Sequence, residues 1–226
     1  MLHFLTGAEL RNVPELRKSM FRDRKIQFID RLGWGLKVTQ EQLEIDEYDR
    51  DDAFYVINSD GKNRHVGSMR LLPTSLPNMI QEHFNHVIPG ISFASEKVWE
   101  CTRLCSAKGA SPKVAISVLA GAAKFMGHFE INAFLGLFDK RMHRTYRRLG
   151  ISPMVIGSSD SVDGLVSVGL WSFNHATYKK LVEHSAYTGD EIEGMFGNNS
   201  LYRLGAKLPM KKQVRTPSYQ TEEPVA

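Results

Sequence analysis

The stretch VWECTRLC, residues 98–105, limits what this chain can become more than any other. Its ends are apolar and β-prone (Val98, Trp99, Leu104), while its middle carries Glu100 and Arg103. A carboxylate and a guanidinium inside a strand are costly to bury unless each finds a partner. Strand side chains alternate, so Glu100 and Thr102 fall on one face and Trp99, Cys101 and Arg103 on the other. A bulge or a splay would bring Glu100 and Arg103 to one cleft. Two readings stand at this point: a structural ion pair on an edge strand, or the centre of a site.

The preceding residues supply candidate partners. Pro14 opens a helix at its first turn, and helical periodicity continues to Gly33. Val13, Leu16 and Met20 mark one apolar face; Phe21, Arg24 and Phe28 form a second stripe, followed by Trp34. That stripe is either core packing with a snorkelling Arg24 or a cation–aromatic surface. The acidic run EQLEIDEYDRDD holds Glu44, Asp46, Asp49, Asp51 and Asp52. It lacks the glycine and ligand order of a calcium loop, so no metal site is expected. It reads as a solvated loop or as a carboxylate set that receives a cationic substrate. Strands follow at 53–59 and 65–73, joined by an Asp60-Gly61 turn, and Arg70 interrupts the second as Glu100 interrupts 98–105. TSLPNMIQEHFNHV is a short helix carrying Phe84, and Pro89-Gly90 is a turn.

After the central strand, Ser111-Pro112 starts a helix whose continuation, VAISVLAGAAKFMGHF, is apolar nearly all round and therefore buried. Residues 131–138 form a buried strand, and DKRMHRTYRRLG a helix closed by Gly150. Two more strands, ISPMVIGSS and DGLVSVGLWSF, precede a last helix opened by Asn174. Interleaved strands and helices, mixing a hairpin with helical crossovers, specify one α/β domain over residues 1–206, an α-β-α sandwich around a mixed sheet. Residues 207–226 are polar and proline-rich, which predicts a flexible tail.

Charge bears on partners. The net charge is +4. Lys140, Arg141, Arg144, Arg147 and Arg148 recur at helical spacing as one basic face. It is a solvated face, a nucleic-acid surface, or a dock for an acidic protein. The aromatics are not interleaved on the basic face as stacking platforms would be, and no helix-turn-helix or RNA-binding signature is present, so no nucleic-acid partner is expected. No apolar run approaches a membrane span, and the N-terminus lacks a basic region before its apolar residues, so a cytoplasmic protein is expected. Cys101 and Cys105, the only cysteines, fit reduced thiols, without the neighbours of a zinc site.

Together, Arg24, Phe28 and Trp34, then Asp46 and Asp49 in EIDEYD, then Arg70, Phe84, Glu100 and Arg103 resemble the signature of the acyl-homoserine-lactone synthases, the autoinducer synthases. Order and spacing match across residues 24–103, and the second half agrees in element order and basic helix. The resemblance implies a fold similar to the GNAT acyltransferases, with two central strands splayed into a V-shaped cleft. It implies two substrates, S-adenosylmethionine and an acyl thioester on acyl carrier protein or coenzyme A, and no cofactor. Arg24, Phe28 and Trp34 would enclose adenosylmethionine, whose sulfonium suits aromatic faces. Asp46 and Asp49 would position its cationic part, while Arg70 and Arg103 order the acidic loop or hold the substrate carboxylate.

Glu100 is the expected general base, with Asp46 second, for amine attack on the thioester; lactone closure then releases methylthioadenosine. Backbone N–H groups near Leu104 and Cys105 would stabilise the oxyanion. Cys101 invites a covalent-acyl reading but lacks a paired histidine. The acyl chain would enter between the sheet and the apolar helix, in a pocket of Phe84, Phe125, Met126, Phe134 and Leu137. Lys140, Arg144, Arg147 and Arg148 would dock the carrier protein. The segment LGLFD lacks the threonine that accompanies 3-oxo chains in relatives. The competing reading is another GNAT-like N-acyltransferase using acyl-CoA on an amine, against which RLCSAKGAS lacks the usual pyrophosphate glycine pattern.

Overall fold

The alternating apolar runs become strands β1 (Leu2–Thr6), β2 (Phe54–Ser59), β3 (His65–Pro73), β4 (Val98–Ser106), β5 (Ala133–Asp139), β6 (Met154–Ser161) and β7 (Gly164–Ser172). The computed structural model describes residues 1–161, 164–172 and 174–199. The tail expected at 207–226 lies outside them. Helices are α1 (Gly7–Leu10), α2 (Pro14–Lys25), α3 (Met79–His83), α4 (Pro112–His128), α5 (Lys140–Leu149), α6 (His175–His184) and α7 (Gly189–Gly197). The strands form one mixed sheet in the order β1-β2-β3-β4-β5-β7-β6, antiparallel throughout except for the β4–β5 pair.

Both faces of this sheet are covered, as its pattern of buried side chains demands. On one face α4 packs Val118, Phe125 and Met126 against Phe54, Leu71 and Trp99, with the Phe54 and Phe125 rings 4.2 Å apart. On the other face, α2 sets Leu16, Met20 and Phe21 over Tyr55, Ile57 and Leu72. Beside it α3 and a 3-10 turn (Asn85–Val87) set Ile80, Val87 and Ile88 over Leu135 and Val168. The side chains of β5 alternate accordingly, Phe134 and Phe138 toward α4, Leu135 and Leu137 toward α3.

Several local expectations change. The helix from Pro14 is α-helical only to Lys25; Ile26–Arg31 continue as a π turn that carries Phe28 in the buried layer, and Gly33 ends it at φ 74°. The β2–β3 connection is a five-residue loop rather than a two-residue turn. Asp60 accepts the N–H groups of Lys62 and Arg64, and Asn63, not Gly61, takes the left-handed conformation at φ 55°. Strand β1 and helix α7 were not expected. Leu2 N–H donates to Met195 Sδ of α7, so α7 closes over β1. A capping box, Thr188 with Glu191, starts α7 and is a readable signal.

Two irregularities position the site. The parallel β4–β5 ladder holds Val98↔Ala133, Trp99↔Phe134 and Glu100↔Leu135, and its pairing ends there although both strands continue. The expected splay begins at Glu100. On the other edge of β4 the register passes from Arg70↔Thr102 to Ser68↔Cys105, so Arg103 and Leu104 together oppose Met69. This is a β-bulge, with Arg103 at φ 54°.

Candidate active site

The bulge corrects the alternation expected for β4. Arg103 turns to the α2 face, where Glu100 and Thr102 also point, and Leu104 returns to the α4 core. The side chains of Arg24 from α2, Arg70 from β3 and Arg103 from β4 converge there on the acidic loop. Arg24 donates to Glu44 and, through both terminal nitrogens at 2.8 and 3.0 Å, to Asp49. Arg70 donates to both oxygens of Asp46, to Thr102 Oγ1 at 3.1 Å, and pairs with Asp49 at 2.8 Å. Arg103 donates to Glu44 at 2.9 Å and to Asp46 at 2.8 Å.

Three guanidiniums thus meet three carboxylates, which is how this much charge can be buried. Arg24, Arg70 and Glu44 are each 1% exposed. Burial works to raise the Asp49 carboxyl, and Arg24 and Arg70 overcome it, holding it well below the usual carboxylate range. Tyr55 also donates its hydroxyl to Asp49 at 2.8 Å. Glu44 and the two tyrosines Tyr48 and Tyr55 were not singled out from sequence. Glu44 had a signal: it precedes Asp46 by two residues, the spacing that sets two side chains on one side of an extended chain.

Glu100 stands outside this balance. It is fully buried and accepts the backbone N–H groups of Met79 at 3.0 Å and Ile80 at 2.8 Å, the first turn of α3. Burial pushes its carboxyl up to about 7, against the pull of those two N–H groups and of Arg70 and Arg103. Glu100 and Arg103 therefore share a face without forming the direct ion pair that the strand alone suggested. Cys101 points to the α4 side; its thiol donates to Leu135 O at 3.2 Å and is pushed up to about 12 by burial and by Glu100, which disfavours the thiolate.

Phe28 and Trp34 stack with centroids 4.9 Å apart and 14° between planes, and the Arg103 guanidinium lies 5.7 Å from the Phe28 centroid. Arg24, grouped with these rings from sequence, is sealed beneath the acidic loop instead. Asp46 is the most open of the three paired carboxylates, its side chain 14% exposed against 1% for Glu44 and Asp49.

The expected acyl-pocket residues divide between the two faces of the sheet. Phe125, Met126 and Phe134 are core side chains under α4, whereas Phe84 and Leu137 pack with the α3 cluster on the opposite face. Phe134 and Leu137 are three residues apart on one strand, an odd separation that points them oppositely. A cavity of about 690 Å³ lies on the α3 side, bounded by Ile80, Ile88, Phe93 and Leu135 with Asn85 and His86 at its rim; none of the five lines it.

On α5 the predicted basic face is present. Lys140, Arg144, Arg147 and Arg148 are exposed, Asp139 caps the helix through Arg141 and Met142 N–H, and Gly150 ends it at φ 66°. Among the described residues no cluster of His, Cys, Asp and Glu could hold a metal ion, and no helix is long and apolar enough to cross a membrane.

The sequence profile described as "Autoinducer synthase" matches residues 8–170. An acyl-homoserine-lactone synthase of Rhizobium etli is 35% identical over 178 residues, 76% of this chain and 84% of that protein. Among solved structures, a CoA-dependent acyl-homoserine lactone synthase, BjaI, with SAM and isopentyl-CoA superposes with a TM-score of 0.74 at 20% identity, covering 85% of this chain and 89% of that one. A putative N-acetyltransferase from Lactobacillus plantarum shares the fold more distantly, with a TM-score of 0.53 at 14% identity, covering 77% of this chain and 98% of that one.

Proposed function

The chain belongs to the autoinducer synthase family and makes an N-acyl-homoserine lactone from S-adenosylmethionine and an acyl thioester, and we propose that both steps run where β4 parts from β5, with Glu100 as the base. The observation that carries this assignment is the position of Glu100. It is the last β4 residue paired with β5, it is buried, and its carboxyl is pushed up to about 7. A base poised near neutral pH takes a proton most effectively, a contribution of roughly 10²–10⁴-fold. Asp46, gripped by Arg70 and Arg103, is better suited to orient the substrate's cation than to accept its proton.

Adenosylmethionine would lie against the stacked Phe28 and Trp34, its positive centre toward the aromatic faces and toward Asp46, the open carboxylate. Arg24 and Arg70 act one layer beneath, holding Asp49 and with it the acidic loop. The free amine attacks the thioester carbonyl, and the β4 backbone beyond Glu100, released from its β5 ladder, is available to receive the oxyanion. The thiol leaves, and the substrate carboxylate then displaces methylthioadenosine from its own γ-carbon to close the lactone. That ring closure depends mainly on holding the substrate folded.

The donor arrives as a thioester of coenzyme A or of an acidic carrier protein. The exposed cations of α5 suit the carrier, because a helix without acids of its own presents unbalanced charge to an acidic surface. The test is incubation with adenosylmethionine and a panel of acyl-CoA and acyl-carrier-protein thioesters, following methylthioadenosine. Amide formation without its release would indicate a simple N-acyltransferase; no product with any donor would end the assignment.

A further inference from the structure

The base is held by a helix that cannot hold itself. α3 has five residues, and its first turn aims the N–H groups of Met79 and Ile80 at Glu100, at 3.0 and 2.8 Å. Asn78 caps that turn by accepting the N–H of Gln81 at 3.1 Å. A helix this short is not stable alone, so its place is set by what it touches. Ile80 anchors it in the apolar cluster over β5. The acidic loop grips it at three further points. Arg50 donates to Pro77 O at 2.8 Å just before the helix, the Tyr48 hydroxyl donates to Glu82, and His83 Nε2 lies 3.6 Å from a Glu47 carboxylate oxygen.

We propose that Tyr48 and Glu82 are positioning residues that tie the subsite for the substrate's cation to the base; the proposal rests on the assignment of Glu100 as that base. The contacts run without a gap. Asp46, assigned above to the substrate's cation, accepts the Tyr48 N–H at 2.9 Å. The Tyr48 ring is buried, with the Arg70 guanidinium 5.6 Å from its centroid. Packing requires only that ring, which phenylalanine would supply equally; the hydroxyl is what reaches α3. Burial and the Glu82 carboxylate push the hydroxyl above the ordinary tyrosine range, so it remains a donor wherever the base titrates. Glu82 lies three residues after Met79, on the same side of the helix. Arg70 from β3, Arg103 from β4 and the two α3 N–H groups favour the ionised form of Glu100. The Tyr48 hydroxyl and the Cys101 thiol stand near it, β5 pairs it with apolar Leu135, and α3 carries Glu82 and His83 further along. Of these groups the two N–H donors move with α3. Cutting the tie loosens their bonds and leaves Glu100 harder to ionise.

The test follows kcat/KM for adenosylmethionine against pH, with an acyl thioester that the wild type turns over, since its ionisation limb reports the base of the free enzyme. Tyr48→Phe should move the limb up by roughly 0.5–1 pH unit, equivalent to one weakened hydrogen bond, and keep the plateau at high pH. Glu82→Ala should move it the same way. Loss of a negative charge by itself would ease ionisation of Glu100 and move the limb down, so the sign separates the tie from plain electrostatics. Glu82→Gln keeps an acceptor for the hydroxyl and should give no upward shift. The double variant Tyr48→Phe, Glu82→Ala should shift no further than Tyr48→Phe. A purely structural role would lower kcat/KM at every pH and leave the limb in place. An unmoved limb in folded Tyr48→Phe, or shifts that add in the double variant, overturns the proposal while Glu100 stands, provided that Glu100→Gln abolishes the limb. A limb that survives in Glu100→Gln fails the base assignment and the proposal with it.

Discussion

Arg103 shares a sheet face with Glu100, three residues away on one strand, because the β4 bulge turns Arg103 over at φ 54°. An L-residue in this conformation costs roughly 1–2 kcal/mol. The bonds from Arg103 to Glu44 and Asp46 offset that cost. Two variants separate the backbone from the guanidinium. Arg103→Gly and Arg103→Ala should both lose kcat/KM by roughly tenfold to a hundredfold, the worth of a charged hydrogen bond. The glycine variant should nevertheless be the more stable by about 1 kcal/mol, the reverse of the usual preference within a strand. Equal stability by urea unfolding would show that the bulge relaxes when the arginine is removed.

Glu100 carries the pH dependence. Its folded carboxyl is raised from 4.5 to about 7, so between these values the folded chain binds the more protons. Stability contributed through this group is therefore fully present below pH of about 4.5 and declines as pH rises through about 7. Activity should run the opposite way, with kcat/KM rising toward a plateau above about 7 as the base ionises. Glu100→Gln should flatten that limb and lower turnover by roughly 10²–10⁴-fold. A variant retaining the wild-type limb would move the base role elsewhere.

Much of this site was legible in the sequence, for a physical reason. Arg70, Glu100 and Arg103 are charges inside β-prone runs, and such charges are tolerated only when something pairs with them. The acidic run was the obvious supply. Which acid meets which arginine was not legible, because that depends on how the loop folds back over α2. Hence Glu44, which bridges Arg24 and Arg103, stood out only as one member of the acidic run. The acyl-pocket residues are a different case. Periodicity places Phe134 and Leu137 on opposite faces, and the apolar helix 112–129 packs Val118, Phe125 and Met126 into the core beneath it. The N-H groups of Met79 and Ile80 that hold Glu100 leave no mark on side-chain pattern at all.

The same network predicts stability. Asp49 accepts from Arg24, Arg70 and Tyr55 and from the backbone N–H of Asp46. Its depressed carboxyl contributes stability that is present above the unfolded value of 3.8 and lost as pH falls below it. Asp49→Asn leaves two buried guanidiniums short of a counter-charge, a loss of about 3–5 kcal/mol at neutral pH. The gap to the wild type should close in acid, where the wild-type carboxylate is itself protonated. A pH-independent difference in denaturation midpoint would assign the loss to packing.

The cations of α5 make a last, separable prediction. Arg144 and Arg148 lie one turn apart and exposed, outside the set of residues bonded to Asp49, and Tyr146 anchors the opposite side of the helix against Phe138 and Trp171. Reversing charge at Arg144 and Arg148 leaves that anchor intact, so the fold and adenosylmethionine binding should be unchanged. If an acidic carrier protein docks there, its KM should rise by at least about tenfold, mostly through a slower association that is steeply dependent on salt. The KM for an acyl-CoA of the same chain should move far less, since its few phosphates engage a smaller area. Equal effects on both donors would place coenzyme phosphates rather than a protein surface on α5, and no effect on either would return the helix to a solvated face.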